Sequence, residues 1–200
     1  MTAHHSLALY LLTAGRFTDA LAESDRARQL DPFSFPVTFL RGAIFISLHE
    51  YARAAEQFAA AAALNPREPG SDDALALIYW IERRVPEALS EERKAAVLAA
   101  SQEQLRDLDE VAAVYAKSGV PAALLRFAQL KERTYHGDDD EAYDIATRYG
   151  IAGDKEKVLE WLNRASGKGA TWFMLRTPAF DFMRADPRFQ DLLRRIGLPQ

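Results

Sequence analysis

Cysteine is absent from the 200 residues, and methionine and tryptophan occur three times each. Without cysteine there is no disulfide framework, no thiolate metal site and no cysteine nucleophile. Long apolar runs are missing too. The longest are Leu7–Leu12, Gly42–Leu48 and Phe58–Leu64, far short of the roughly 20 residues that cross a bilayer. Leu7 to Ala14 has the size of a signal-peptide core, but only His4 and His5 precede it, with no Lys or Arg. Excess charge is lacking as well: 25 Lys and Arg stand against 29 Asp and Glu, a net charge of −4. That balance gives no electrostatic reason to expect nucleic acid or an anionic membrane as partner. We expect a folded, soluble, cytoplasmic chain.

Internal repetition is abundant. Ala8, Gly15, Phe17, Ala20, Ala27 and Pro32 recur 34 residues later as Gly42, His49, Tyr51, Ala54, Ala61 and Pro66. A second step of 34 reaches Ala76, Arg83, Val85, Ala88, Ala95 and Ala100. After a slip of two residues the series resumes as Ala112, Tyr115 and Gly119, then Ala146, Tyr149 and Gly153. Each unit reads as a helical hairpin. A small residue (Ala8, Gly42, Ala76, Ala112, Ala146) lets the second helix approach the first closely. Three residues on, on the same face, stands a bulky one: Leu11, Phe45, Tyr79, Tyr115, Tyr149. Gly15, Gly119 and Gly153 suit a left-handed helix end. Asp31-Pro32 and Asn65-Pro66 stop the second helices, because proline neither continues a helix nor leaves the preceding residue free to. No stretch shows sustained two-residue alternation, so no strand is expected.

These residues resemble the tetratricopeptide repeat (TPR) family over roughly residues 3–168. The first two units are the best matched. The third and fourth depart from the pattern: Arg83 and Val85 replace the turn glycine and the aromatic, and Pro121 and Leu124 replace the aromatic and the small residue. The resemblance implies an all-α, right-handed solenoid of about five helix-turn-helix hairpins in a single domain, 1–200, with repeats near 3–34, 35–68, 69–102, 103–138 and 139–169. Residues 170–200 read as a helical cap over the last apolar face. Within it Asp186 is an N-cap, Pro187 takes the first helical position, and Phe189, Leu192, Leu193 and Ile196 share one apolar face. The tail is similar to a C-terminal block that closes repeat arrays in bacterial signalling proteins, downstream of winged-helix, kinase or cyclase domains. It departs from that block at Thr177-Pro178-Ala179-Phe180, where an aspartate-proline pair is usual. The repeats begin close to Met1, so no effector domain is expected within these residues.

Motifs for chemistry are few. His136 and the acidic run Asp138-Asp139-Asp140-Glu141 lack the alternating ligands of a calcium loop, and one aspartate is expected to cap the helix that follows. Ser166-Gly167-Lys168-Gly169-Ala170-Thr171 lacks the spacing and the preceding strand of a phosphate loop, and reads as a connection to the cap. There is no GxSxG, HExxH or GxGxxG pattern. We therefore expect no catalytic, cofactor or metal residue. Trp161 and Trp172 are expected to join the last hairpin to the cap.

The stronger candidate is a surface. First helices line the concave side of such a stack, so helical spacing and the family resemblance place His5, Leu9, Leu12, Phe39, Ala43, Ile46, Leu77, Trp80 and Ile81 on a groove face. The Lys, Arg and Asn that hold a peptide's terminal carboxylate in related repeats are replaced here by apolar residues. An apolar or aromatic segment of a protein or peptide partner, anchored on Trp80 or Phe39, is the expected guest. Internal packing of these residues and the seam of a homodimer are the alternatives for this face. For the chain as a whole, the rivals to a non-enzymatic protein-interaction adaptor are a small-ligand sensor or regulatory partner module of a bacterial signalling system, and a mainly structural homo-oligomer.

Overall fold

The computed structural model describes residues 3–165 and 175–197; the connection at 166–171 and Trp172 lie outside them. Among the described residues there are helices and no strand. Contacts divide the chain into two compact units, Met1–Leu105 and Arg106–Gln200.

The first unit holds α1 (Ala3–Thr13), α2 (Phe17–Leu30), α3 (Phe35–Ser47), α4 (Tyr51–Leu64), α5 (Gly70–Ile81) and α6 (Val85–Leu98). They pair as α1/α2, α3/α4 and α5/α6, and each pair meets the next through α2 on α3 and α4 on α5. This is a stack of three helical hairpins. Close approach depends on side-chain size. Ala8 and Ala76 are wholly buried, as are Ala20, Ala54 and Ala88 on the second helices. At Gly42 an added Cβ would lie 2.6 Å from the Phe58 ring.

The turns reuse one conformation. Gly15, His49 and Arg83 have φ of 75°, 62° and 63°. In each hairpin the left-handed residue's N–H donates to a carbonyl three residues back (Leu12, Ile46, Trp80), and the next N–H donates to Leu11, Phe45 or Tyr79. That double bond satisfies carbonyls the helix end leaves open. His49 and Arg83 therefore hold a glycine's conformation with a Cβ, at a cost of about 1–2 kcal/mol each.

The second unit begins in α7 (Gln102–Arg133), which is broken at Gly119 (φ 77°, ψ −171°). Arg126 Nε donates to Glu110 Oε1 at 2.8 Å and Arg133 Nη2 to Asp107 Oδ1 at 2.6 Å, so the halves on either side of Gly119 are held together as a fourth hairpin. Pro121 follows the break at the start of the second half, where a missing N–H is tolerated. A fifth hairpin joins α8 (Asp139–Ala152) to α9 (Lys155–Arg164) through Gly153, φ 85°. Asp138 caps α8, accepting from the N–H groups of Asp140 and Glu141 at 2.8 and 3.2 Å.

The cap has two parts. A 3-10 segment, Pro178–Met183, occupies the stretch where the tail departed from its resemblance, and it packs on α8. Gly150 makes this docking feasible: a Cβ there would lie 2.6 Å from the Ala179 carbonyl oxygen. The last helix, α10 (Pro187–Arg195), rests on α9, and the Phe180 and Phe189 rings stack at 6.0 Å. Phe189, Leu192 and Leu193 are buried as the apolar face required. Trp161 is buried, with Tyr135 edge-on at 4.8 Å and the Arg164 guanidinium over its ring at 4.4 Å.

Two predictions follow from backbone and cap geometry. His49→Gly relieves the left-handed strain, and the extra chain freedom of glycine returns about 0.5–1 kcal/mol of it. A net gain of up to about 1 kcal/mol is expected in urea denaturation; a loss of stability contradicts the strain. At the α10 cap, Asp186 accepts from the Arg188 side chain at 2.9 and 3.2 Å and from its N–H at 2.9 Å, which pulls its carboxyl down to about 2. A depressed carboxyl stabilises above its unfolded value near ~3.9, and that contribution disappears as pH falls towards 2. Thermal unfolding of Asp186→Asn should then lie below wild type at pH 6 and converge with it near pH 2.

Candidate functional site

The face expected to receive a guest belongs to α1, α3 and α5 of the first unit, with α1 touching α3 directly. Its nine expected residues separate into two groups. Leu9 is exposed, and Phe39, Leu77 and Ile81 are half-buried. His5, Leu12, Ala43, Ile46 and Trp80 are buried, Leu12 and Trp80 completely. Burial thus divides the nine residues: five lie in the core, and four keep solvent-accessible area.

The reason is specific for each buried residue type. Ile46 belongs to one packed cluster with Phe45, Ala54, Phe58 and Ile78, against which Phe39 and Leu77 also lean. Phe39 meets Phe58 edge-on at 5.1 Å. His5 is hydrogen-bonded to the Pro36 backbone, and burial pushes its imidazole below the ordinary value, so it is neutral at pH 7. Trp80, the expected anchor, turns away from solvent: its Nε1 donates to Glu92 Oε1 at 3.1 Å inside the α5/α6 hairpin. An indole with no exposed surface does not grip a guest.

Two buried polar residues beneath this face escaped the sequence reading. Glu92 occupies the position that Phe58 fills one repeat earlier and Ser24 two repeats earlier. A carboxylate at a core position demands a donor, and Trp80 supplies it. Arg41 is the other. Its Nη1 donates to Ser24 Oγ at 3.0 Å and to Asp25 Oδ1 at 2.6 Å, and its Nε to Gln57 Oε1 at 3.3 Å. Burial pushes the guanidinium below its ordinary value while Asp25 opposes that shift. Arg41 remains a cation and ties α3 to α2 and α4. The signal for it was an arginine at the start of an otherwise apolar run, Arg41–Leu48.

In the second unit, a cleft of about 790 Å³ between α9 and α10 is lined by charged residues. Two of its three arginines are paired with carboxylates, and the third is bonded to a neutral amide. Arg188 makes a bidentate pair with Glu156 at 2.9 and 3.0 Å, Arg195 bonds Asn163 Oδ1 at 2.6 Å, and Arg194 pairs with Asp191. Deeper in this unit the Tyr149 hydroxyl donates to Glu132, which also takes Lys157 Nζ at 2.9 Å. Burial and the neighbouring Glu132 carboxylate push the Tyr149 hydroxyl up. Among the described residues no group of three His, Asp or Glu side chains is placed to hold a metal ion, and no helix is long and apolar enough to cross a membrane.

No family model and no curated protein matches the chain. Similar solved structures include MamA MSR-1, at 17% identity over 81% of this chain and 92% of that one, with a TM-score of 0.47. YrrB, a TPR protein with an unusual peptide-binding site, is 22% identical over 86% of this chain and 88% of its own, with a TM-score of 0.49. The P58(IPK) TPR domain is 15% identical over 96% of this chain and 63% of its own, with a TM-score of 0.46. At these levels the hairpin assignment rests on the chain's own repeat and geometry.

The two groups of face residues respond differently to truncation. Trp80→Ala opens a core cavity and leaves Glu92 without the indole donor, so a loss of about 3–5 kcal/mol is expected in urea denaturation. Leu9→Ala should stay within about 0.5–1 kcal/mol of wild type. Comparable effects of the two would contradict this division.

Proposed function

We propose that the chain is a non-enzymatic protein-interaction module whose inner face receives an apolar segment of a protein partner. The observation that carries this reading is one of exposure: Leu9, Phe39, Leu77 and Ile81 keep solvent-accessible area on the first helices of three stacked hairpins. None of the four is charged, so nothing in this set matches a terminal carboxylate. The buried layer behind it supplies rigidity rather than contacts. Ile46 and Phe58 hold Phe39 and Leu77 in place, and the Arg41 bridge fixes α3 against its neighbours. A preorganised apolar strip favours a guest that brings aromatic or branched side chains and needs little ordering of the receptor.

Panning a phage-displayed peptide library on the full chain tests the assignment. Selected peptides should be apolar or aromatic and should bind irrespective of a free C-terminus. Leu77→Lys or Ile81→Lys should weaken them at least tenfold, the loss expected when about 1.4 kcal/mol of apolar contact is removed. Unchanged affinity for both variants would overturn the inner-face assignment, and so would a concentration-independent dimer that occludes these residues.

A further inference from the structure

The second helices of the first unit share a feature that hairpin packing does not require. α2, α4 and α6 end on Leu30, Leu64 and Leu98, at one 34-residue spacing. All three are exposed, by 67%, 37% and 43%. The buried position lies one turn earlier, at Ala27, Ala61 and Ala95, so the terminal leucines are not needed to close the hairpins. Phe33, 81% exposed, follows the first of them, and Val97, 64% exposed, precedes the last. Single exposed leucines are ordinary on protein surfaces. Three at one register of a stack form a row, and Phe33 and Val97 widen it into a patch.

Basic residues near the row, Arg26, Arg28 and Lys94, are paired with Glu23, Asp25 and Glu91, so the acidic excess lies among the charges that have no ion-pair partner. Asp31, Glu68 and Glu103 follow the three leucines closely and are exposed, and none of them forms an ion pair among the described residues. Arg67 is the one basic residue in the linkers 31–34, 65–69 and 99–101. α4 and α6 carry no basic residue in their last turns, so the negative ends of both helices are uncompensated. Arg28 of α2 is paired with Asp25 at 3.3 Å. The imbalance holds for the unit as a whole. Met1–Leu105 has 10 Lys and Arg against 14 Asp and Glu, whereas Arg106–Gln200 has 15 of each.

From this we infer a second docking surface: the edge formed by Leu30, Phe33, Leu64, Val97 and Leu98 binds a protein segment that combines leucine- or phenylalanine-sized side chains with flanking Lys or Arg. The apolar row supplies contact area, and the acidic residues with the helix ends select the basic flanks. An anionic lipid surface fits less well, because the edge repels it. This edge is separate from the strip of Leu9, Phe39, Leu77 and Ile81, and the two surfaces stand or fall independently.

The test uses the full chain and a phage-displayed peptide library, with recovered peptides labelled for fluorescence anisotropy. Edge binders should pair Leu or Phe with Lys or Arg. They should weaken at least tenfold against Leu98→Asp and against Leu64→Asp, be left unchanged by Leu77→Lys, and lose affinity as salt rises from 50 to 500 mM, the salt values being those of the assay. These leucines are partly exposed, so thermal unfolding of the variants should fall only slightly, by the cost of an aspartate at a negative helix end; Leu64→Ser, which adds no charge, serves if an aspartate variant unfolds early. Three results overturn the inference: binders without basic residues whose affinity ignores salt; binders insensitive to every edge variant; or self-association of the chain, or binding to phosphatidylglycerol vesicles, that Leu98→Asp abolishes while no peptide binds.

Discussion

How near two helices come to each other governs this chain. In the first unit the second helix of every hairpin crosses the first at a residue with little or no side chain. Gly42 is the limiting case, since the Phe58 ring occupies the space a Cβ would need. Close crossing brings the helix ends within reach of a very short turn, and that turn needs a left-handed residue. Glycine accepts the conformation freely at Gly15 and again at Gly153 in the second unit, while His49 and Arg83 are forced into it by the tertiary structure. Packing has overridden local preference there, as expected when a hairpin's buried area outweighs a kcal/mol of backbone strain. The same device reappears in the second unit, where Gly150 lets a main-chain carbonyl of the 3-10 segment settle against α8.

Once the crossings are set, the inner helices have a fixed rotation, and this decides what is available to a partner. Residues that a helical projection places on one face are divided by depth. Leu12, Ile46 and Trp80 sink into the stack, and Leu9, Phe39, Leu77 and Ile81 stay nearer its surface. Polar groups at depth then need partners of their own. Glu92 takes the indole N–H of Trp80, and Arg41 divides its donors among Ser24, Asp25 and Gln57. Such satisfied interior groups add little net stability compared with apolar substitutes, but they penalise any slippage of one hairpin over the next, because slippage would strand a buried charge.

The hairpins were readable from the sequence because their signals are local. Proline ends helices, a small residue marks a crossing, and an aspartate before Pro187 caps α10. Each acts within a few residues of where it stands. Burial was less readable. A helical period tells which residues share a face but not how far a neighbouring helix closes over it, so Trp80 and Ile46 read as groove residues when they are core. The correction was partly encoded: a glutamate at position 92, where the preceding repeat has Phe58, announces a buried donor nearby. The 3-10 turn at Pro178–Met183 carried no period at all, and only its contact with Gly150 explains its place. The leucine row at the edge shows the converse, since its spacing is plain in the sequence but its exposure is not.

The burial of two tryptophans has a spectroscopic consequence. Trp80 lies in the first unit, beside the carboxylate of Glu92, and Trp161 lies in the second, beneath the guanidinium of Arg164. One indole sits next to a negative group and the other next to a positive one, both shielded from water. Their emission will therefore differ in the folded chain and shift separately as each environment is lost. With Trp172, which lies outside the described residues, replaced by phenylalanine, the chain keeps one intrinsic optical reporter in each unit, and the order in which its two halves unfold is open to direct observation without any added label.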